Sequence, residues 1–295
     1  MTLADLFALQ PAIFSGLVGL LGLLVGSFLN VVIHRLPIML ERSWQAQARD
    51  ILAADGAPAA GPEPTEVYNL VAPRSGCPGC GAPIKAWQNI PVLSYLLLKG
   101  KCAACGIAIS PRYPLVEATT AALSVLVAWH FGYSLETLAA LILTWALIAL
   151  TVIDLDHQLL PDSITLPLLW LGIFFSLLGT SFTDLNSAVI GAIAGYLSLW
   201  SIFHLFKLVT GKEGMGYGDF KLLGALGAWL GWQMLPVIII LSAAVGAVTG
   251  ISMILVGGRD SQRPMPFGPF LAAAGFIALL WGAKLTSAYQ QAAGF

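Results

Sequence analysis

Two aspartates stand beside apolar runs long enough to cross a lipid bilayer. Asp154 ends the run 141–153, and Asp219 closes Gly216-Tyr217-Gly218-Asp219 just before another. An Asp at mid-bilayer costs about 2.5–3.5 kcal/mol on translocon scales and less near an interface, so two of them point to a shared function. Two carboxylates in one site cannot both ionise easily, so one holds a proton while the other stays charged. That is the equipment for peptide hydrolysis. The ionised member takes a proton from water as it attacks the scissile carbonyl; the protonated member polarises that carbonyl and later protonates the leaving amine. The titration belongs to the pair, so neither aspartate is assigned as acid or base. No Gly-x-Ser-x-Gly and no His-Glu-x-x-His competes. The blander reading is that Asp219 caps a helix amino terminus. Asp162, in Pro161-Asp162-Ser163, is the stronger capping candidate, and Asp156 and His157 lie in a short polar link. Against the capping reading, the glycines of 212–219 allow φ > 0 and let an extended substrate backbone lie close to the loop.

A second set of residues could hold a metal. Cys77-Pro78-Gly79-Cys80 and Cys102-Ala103-Ala104-Cys105 are two Cys-x-x-Cys knuckles, each followed by glycine, and they contain all four cysteines of the chain. The spacing suits tetrahedral thiolate ligation of one Zn²⁺, a staple for a loop with little apolar content. Four cysteines leave no open position for water, so such an ion is structural. The rival readings are a thioredoxin-like redox pair and two disulfides; the reducing cytoplasm disfavours disulfides, and a redox centre usually has one reactive pair.

The elements that must position these residues are membrane helices. With 58% hydrophobic residues, 10% charged and a mean hydropathy of +0.84, the chain is far from the roughly 25% charged of a soluble domain. Spanning runs occur at about 11–33, 114–131, 135–153, 163–180, 187–206, 220–233, 235–256 and 267–285. The fold class is all-α: a polytopic membrane protein of about eight transmembrane helices with a small zinc-clipped cytoplasmic loop. The domains are a first helix over 1–33, the loop over 34–113 and a membrane core over 114–295. The run 220–233 is short and meets Pro236, so it and the next run could form one broken unit. The first span lacks the basic n-region and small-x-small site of a cleavable signal peptide. Arg35, Arg42, Arg49, Arg74, Lys85, Lys99, Lys101 and Arg112 crowd the segment 34–113, while the links near 132–134 and 181–186 hold no Lys or Arg, which places the loop in the cytoplasm. Lys207, Lys212, Arg259 and Arg263 fall on the same side and Lys284 opposite, so both aspartates reach the cytoplasmic end of their spans. Within the loop, 53–64 is rich in Ala, Pro and Gly and cannot build a core. Nothing supports nucleic-acid binding.

Taken in order, these motifs carry a resemblance. Gly26-Ser27-Phe28-Leu29-Asn30-Val31-Val32-Ile33-His34-Arg35-Leu36-Pro37, the cysteine knuckles, Arg112-Tyr113-Pro114-Leu115-Val116-Glu117, Asp154 with Pro161-Asp162, Gly216-Tyr217-Gly218-Asp219 and Pro266-Phe267-Gly268-Pro269 resemble the type IV prepilin peptidase family over nearly the whole chain. The resemblance implies an inner-membrane aspartic protease that removes the basic leader from type IV prepilins and type II secretion pseudopilins. It also implies that the enzyme then methylates the new amino-terminal residue with S-adenosylmethionine. By carry-over, Asp154 and Asp219 are the protease pair, and Cys77, Cys80, Cys102 and Cys105 are the zinc ligands of the bifunctional form. Glu117 becomes a candidate for the methyltransferase site, against a structural pairing with Arg112 or Arg35. No Rossmann glycine fingerprint is present, so the cofactor pocket is of another kind.

Two other classes stay open: a proton- or cation-coupled transporter with intramembrane aspartates and a regulatory zinc loop, and a membrane thiol oxidoreductase. Glu41, Glu63, Glu66 and Glu213 could attract a basic leader or be ordinary solvated charges. Glycine pairs Gly22/Gly26, Gly191/Gly195, Gly227/Gly231 and Gly246/Gly250 predict close helix packing.

Overall fold

A computed structural model describes residues 7, 9–54, 67–180, 182–212, 214–257 and 265–293. Glu63, Glu66, Glu213, Arg259 and Arg263 lie outside the described residues, as does most of the Ala/Pro/Gly-rich stretch. Each of the eight apolar runs is a helix: α1 (Pro11–Ala54), α3 (Arg112–Phe131), α4 (Leu135–His157), α5 (Asp162–Leu177), α6 (Leu185–Thr210), α7 (Tyr217–Leu230), α8 (Leu235–Gly257) and α9 (Gly268–Ala293). A short helix, α2 (Leu93–Leu97), lies between the knuckles. Among the described residues, six of these helices are long and apolar enough to cross a membrane. The exceptions are α5, with 16 residues, and α7, with 14. At 1.5 Å per residue they reach only about 21–24 Å against a hydrocarbon core of about 30 Å.

One boundary differs from the sequence expectation, and one alternative left open there is resolved. Helix α1 does not stop at residue 33 but runs to Ala54 with Pro37 inside it. Its extension is built from Ala, Leu, Arg, Gln and Glu, strong helix formers that need no apolar surroundings. The runs 220–233 and 235–256 are separate helices, parted at Gly231 (φ 81°) and a 3₁₀ turn, Trp232–Met234.

The chain divides into two compact units, Gly16–Val125 and Met1–Ser15 with Leu126–Phe295. In the first, α1 and α3 run antiparallel at close range. A β-carbon on Gly22 would lie 2.9 Å from the Ala121 Cα, and one on Gly26 would lie 2.7 Å from the Glu117 Cα. The Asn30 side chain donates to the Tyr113 carbonyl at 3.1 Å, and buried Arg35 donates to the carbonyls of Asn69 (2.9 Å) and Pro73 (2.6 Å). Arg35 and Arg42 both lie over the Tyr68 ring.

The second unit is built around α7, which is buried over nearly its whole length. Because protein surrounds it, its length need not match the bilayer. It meets α6 through glycine: a β-carbon on Gly191 would strike the Gly227 carbonyl oxygen and the reverse, and one on Gly195 would come within 2.6 Å of the Leu223 oxygen. The α7 side of this contact is thus Gly224 and Gly227, not the expected Gly227/Gly231; Gly231 is the C-cap of α7, with φ 81°. Against α5, Trp229 rests on Gly172 and its Nε1 donates to the Leu168 carbonyl at 2.8 Å. Against α9, Leu226 fills the space over Gly275.

Backbone-to-backbone contact cannot yield by side-chain rotation. Gly227→Ala should therefore lower the melting temperature of the purified protein by an amount equivalent to about 1–3 kcal/mol, despite alanine's better helix propensity. Gly16→Ala, with nothing within 4 Å of the new methyl, should be neutral or stabilising. Equal melting temperatures for the two variants in the same detergent would contradict the packing.

Candidate active site and metal centre

Both aspartates sit at one end of the second unit. Asp154 belongs to the last turn of α4, which ends when Gln158 turns left-handed (φ 51°) and donates its N–H to the Asp154 carbonyl at 2.9 Å. The following 159–161 segment crosses to α5. Asp219 is in the first turn of α7, whose N-cap Gly216 offers no side chain. Asp154 is 5% exposed and Asp219 6%, whereas Asp156 and His157 are exposed. The capping reading of Asp219 is half fulfilled. Its carboxylate reaches back to the Gly216 backbone, and Asp154 is near enough to interact with it electrostatically. Its Oδ1, however, is buried without a hydrogen-bond partner. Buried acceptors are nearly always satisfied, so this oxygen is open to a partner from outside the chain, a water or a bound molecule.

Asp154 is held by the amino terminus of α9. The Gly268 N–H donates to Asp154 Oδ2 at 3.0 Å, and a β-carbon on Gly268 would lie 2.6 Å from that same oxygen. Leu160 wedges between the start of α7, which bears Asp219, and the start of α9, which holds Asp154: β-carbons on Gly218 and Gly268 would lie 2.7 Å and 3.0 Å from it. Asp162, expected to cap α5, does not; Pro161 is the N-cap without a side-chain bond. Its carboxylate instead accepts from Lys221 Nζ, 2.7 Å to each oxygen, tying the start of α5 to the start of α7. The site thus has two close carboxylates, two helix amino termini and one unsatisfied acceptor, enclosed where helices exclude lipid.

The four sulfurs of Cys77, Cys80, Cys102 and Cys105 lie within 4.8 Å of one another. The two knuckles repeat one geometry. Gly81 N–H donates to the Cys77 carbonyl (2.8 Å) and Gly106 N–H to the Cys102 carbonyl (2.9 Å), and both glycines have φ above 70°. Ile107 of the second knuckle packs over Gly79 of the first. Cys77 and Cys105 Sγ are 3.7 Å apart, too far for a disulfide and close to the edge of about 3.8 Å expected when sulfurs sit 2.3 Å from a common tetrahedral centre. The backbone N–H groups of Cys105 and Ala104 pull the Cys102 thiol down to about 6. Cys105 is pushed up to about 12: the Ile107 N–H favours its thiolate, but Cys80 and the other crowded thiols oppose it. A divalent cation relieves that crowding, and the donor set fits one.

Glu117 is buried, and its Oε2 accepts the Val92 N–H at 2.7 Å, with the Ser27 hydroxyl as a further partner. Val92 is held at φ 58°, a strained value for a β-branched residue. The expected pairing of Glu117 with Arg35 does not occur, since Arg35 serves the Asn69 and Pro73 carbonyls. The Glu117–Val92 clamp was not legible in sequence, where no local pattern joins the two.

Two family models match the chain. Residues 20–131 match the bacterial peptidase A24 N-terminal domain, and residues 141–251 match the type IV leader peptidase family. A Pseudomonas aeruginosa protein named prepilin leader peptidase/N-methyltransferase is 57% identical over 296 residues, covering 100% of both chains. One of the same name from Aeromonas salmonicida is 60% identical, covering 95% of this chain and 94% of its own, and one from Dichelobacter nodosus is 52% identical, covering 97% of each. No solved structure matches.

Replacing any one of the four cysteines by Ser should lower bound metal and loosen the loop to a similar degree, as a single tetrahedral site requires. The protein should carry close to one equivalent of zinc, held less firmly as pH falls because thiolates are the ligands. Elemental analysis and protease sensitivity of residues 67–111 check this. A fully active protein with less than about half an equivalent would defeat it.

Proposed function

The chain belongs to the type IV leader peptidase family, and from that premise we propose that Asp154 and Asp219 cleave prepilin leaders and that the Gly16–Val125 unit serves amino-terminal methylation. It is a multi-pass membrane protein and a prepilin leader peptidase/N-methyltransferase. The observation that carries the peptidase assignment is the buried pair itself: Asp154 fixed by the Gly268 N–H, beside Asp219 with one oxygen unpartnered.

A prepilin has a basic leader in the cytoplasm followed by an apolar helix in the bilayer, so its scissile bond lies at the cytoplasmic interface. The Lys and Arg distribution supports the same depth for the end of α4 and the start of α7. One aspartate, ionised, takes a proton from water as the water oxygen attacks the carbonyl. The other, protonated, gives its proton toward the carbonyl oxygen. As the tetrahedral intermediate collapses the amine leaves with a proton, and the pair again shares one. Pseudopilins of type II secretion present the same basic-then-apolar pattern and belong to the substrate class.

Zinc is the ion the four thiolates hold, and it braces the segment 76–108. S-adenosylmethionine supplies the methyl group. Glu117 has one oxygen committed to Val92, so it acts on the methyl-transfer site as a positioning residue, keeping the segment after Pro91 in place rather than touching the cofactor.

Cleavage of a prepilin and methyl transfer to mature, pre-cleaved pilin, measured side by side, test the reading. Asp154→Asn and Asp219→Asn should abolish cleavage while methyl transfer persists, and exposed Asp156→Asn should cleave normally. Glu117→Gln should lose more methyl transfer than cleavage. Loss of both activities in Asp154→Asn, with the protein still folded, would mean one shared site. Wild-type cleavage rates in both aspartate variants would overturn the assignment of Asp154 and Asp219 as the peptidase pair, and absence of cleavage by the purified wild-type protein would favour the transporter reading.

A further inference from the structure

The stretch between the two knuckles carries an apolar face that neither chemistry uses. Leu93, Leu96 and Leu97 of α2 are 49%, 64% and 65% exposed, and Trp87 and Ile90 just before them are exposed as well. In water such a cluster is a liability; its depth explains it. Glu117 lies about 7.5 Å along the α3 axis from Arg112, inside a helix that crosses the membrane. Because Glu117 grips the Val92 N–H, the start of α2 is pinned against the flank of that helix below its first turn. On the first turn of α3, Tyr113 and Leu115 are also exposed.

The charge of the segment selects the surroundings. Residues 67–116 contain Arg74, Lys85, Lys99, Lys101 and Arg112 and no Asp or Glu. Lys85, Lys99 and Lys101, which flank α2, are all exposed. A basic prepilin leader would be repelled by this patch. Anionic phospholipid satisfies both halves: acyl chains for the leucines and phosphates for the lysines.

We propose that α2 is an interfacial element that seats Leu93, Leu96 and Leu97 at the acyl–headgroup boundary of an anionic bilayer, with Lys85, Lys99 and Lys101 on its phosphates. The knuckles on either side are thereby tethered to the membrane surface, at the depth where a substrate's amino terminus emerges.

The test uses the full chain in nanodiscs of phosphatidylethanolamine and phosphatidylglycerol, with a fluorescent amino acid placed by amber suppression at position 96, 97 or, as a water-exposed control, 104. Zinc content reports that the loop remains folded. Brominated lipid should remove most of the emission at 96 and 97 and little at 104, while aqueous iodide should do the reverse. Exchanging phosphatidylglycerol for phosphatidylcholine should weaken the lipid quenching at 96 and 97. Iodide access at 96 and 97 would overturn the proposal, as would protection from both quenchers, which would mean that protein covers the face. Lipid quenching independent of headgroup charge would overturn the anionic selection.

Discussion

The contact between Gly191 and Gly227 governs the end of the second unit that carries Asp154 and Asp219. Two helices approach there until backbone meets backbone, and this closeness lets α7 lie inside protein over nearly its whole length. A helix so enclosed can be short and can end within the membrane's depth, because its orphan N–H groups face protein rather than lipid. Asp219 stands at that end. Leu160 then fills the gap between Gly218 and Gly268, and the Gly268 N–H fixes Asp154. Each step depends on a missing side chain: the glycines of α6 and α7 set the helix spacing, and those beside the carboxylates let them approach.

The two oxygens of Asp219 stand in different surroundings, which is what a carboxylate with both a structural and a proposed catalytic role requires. One part of the group turns back to the Gly216 backbone as a first-turn acid commonly does, while Oδ1 stays buried and unpaired. The Asp162–Lys221 ion pair ties the start of α5 to the start of α7. The four-cysteine cluster and the Glu117–Val92 clamp belong to the other unit and use none of these groups. That separation is the physical basis for assigning two chemistries to two sets of residues.

Much of this was legible in the sequence because it is local. Apolar runs mark helices, Cys-x-x-Cys-Gly marks a knuckle, and an Asp at the edge of hydrocarbon marks itself by its cost. What was not legible follows from distance or from weighting one signal over another. The Gly268-to-Asp154 hydrogen bond joins residues 114 apart, and no pattern in either segment announces it. The continuation of α1 to Ala54 was hidden because polarity was read as loop, although residues such as Ala46, Ala48, Gln47 and Arg49 favour helix wherever they are solvated. A four-residue spacing selected Gly227/Gly231, while the helix contact uses Gly224/Gly227, three apart; Gly231 is needed instead for its positive φ.

The central claim is that the α9 amino terminus holds Asp154 in its working position, and Gly268→Ala tests it most directly. The variant keeps the N–H donor but places a methyl carbon 2.6 Å from Asp154 Oδ2, so the carboxylate must move. Misplacement by about 1 Å can cost roughly 10²-fold in rate, and a loss of that size in prepilin cleavage is the predicted result, with methyl transfer to mature pilin retained. Cleavage near the wild-type rate in a stably folded Gly268→Ala protein would contradict the account.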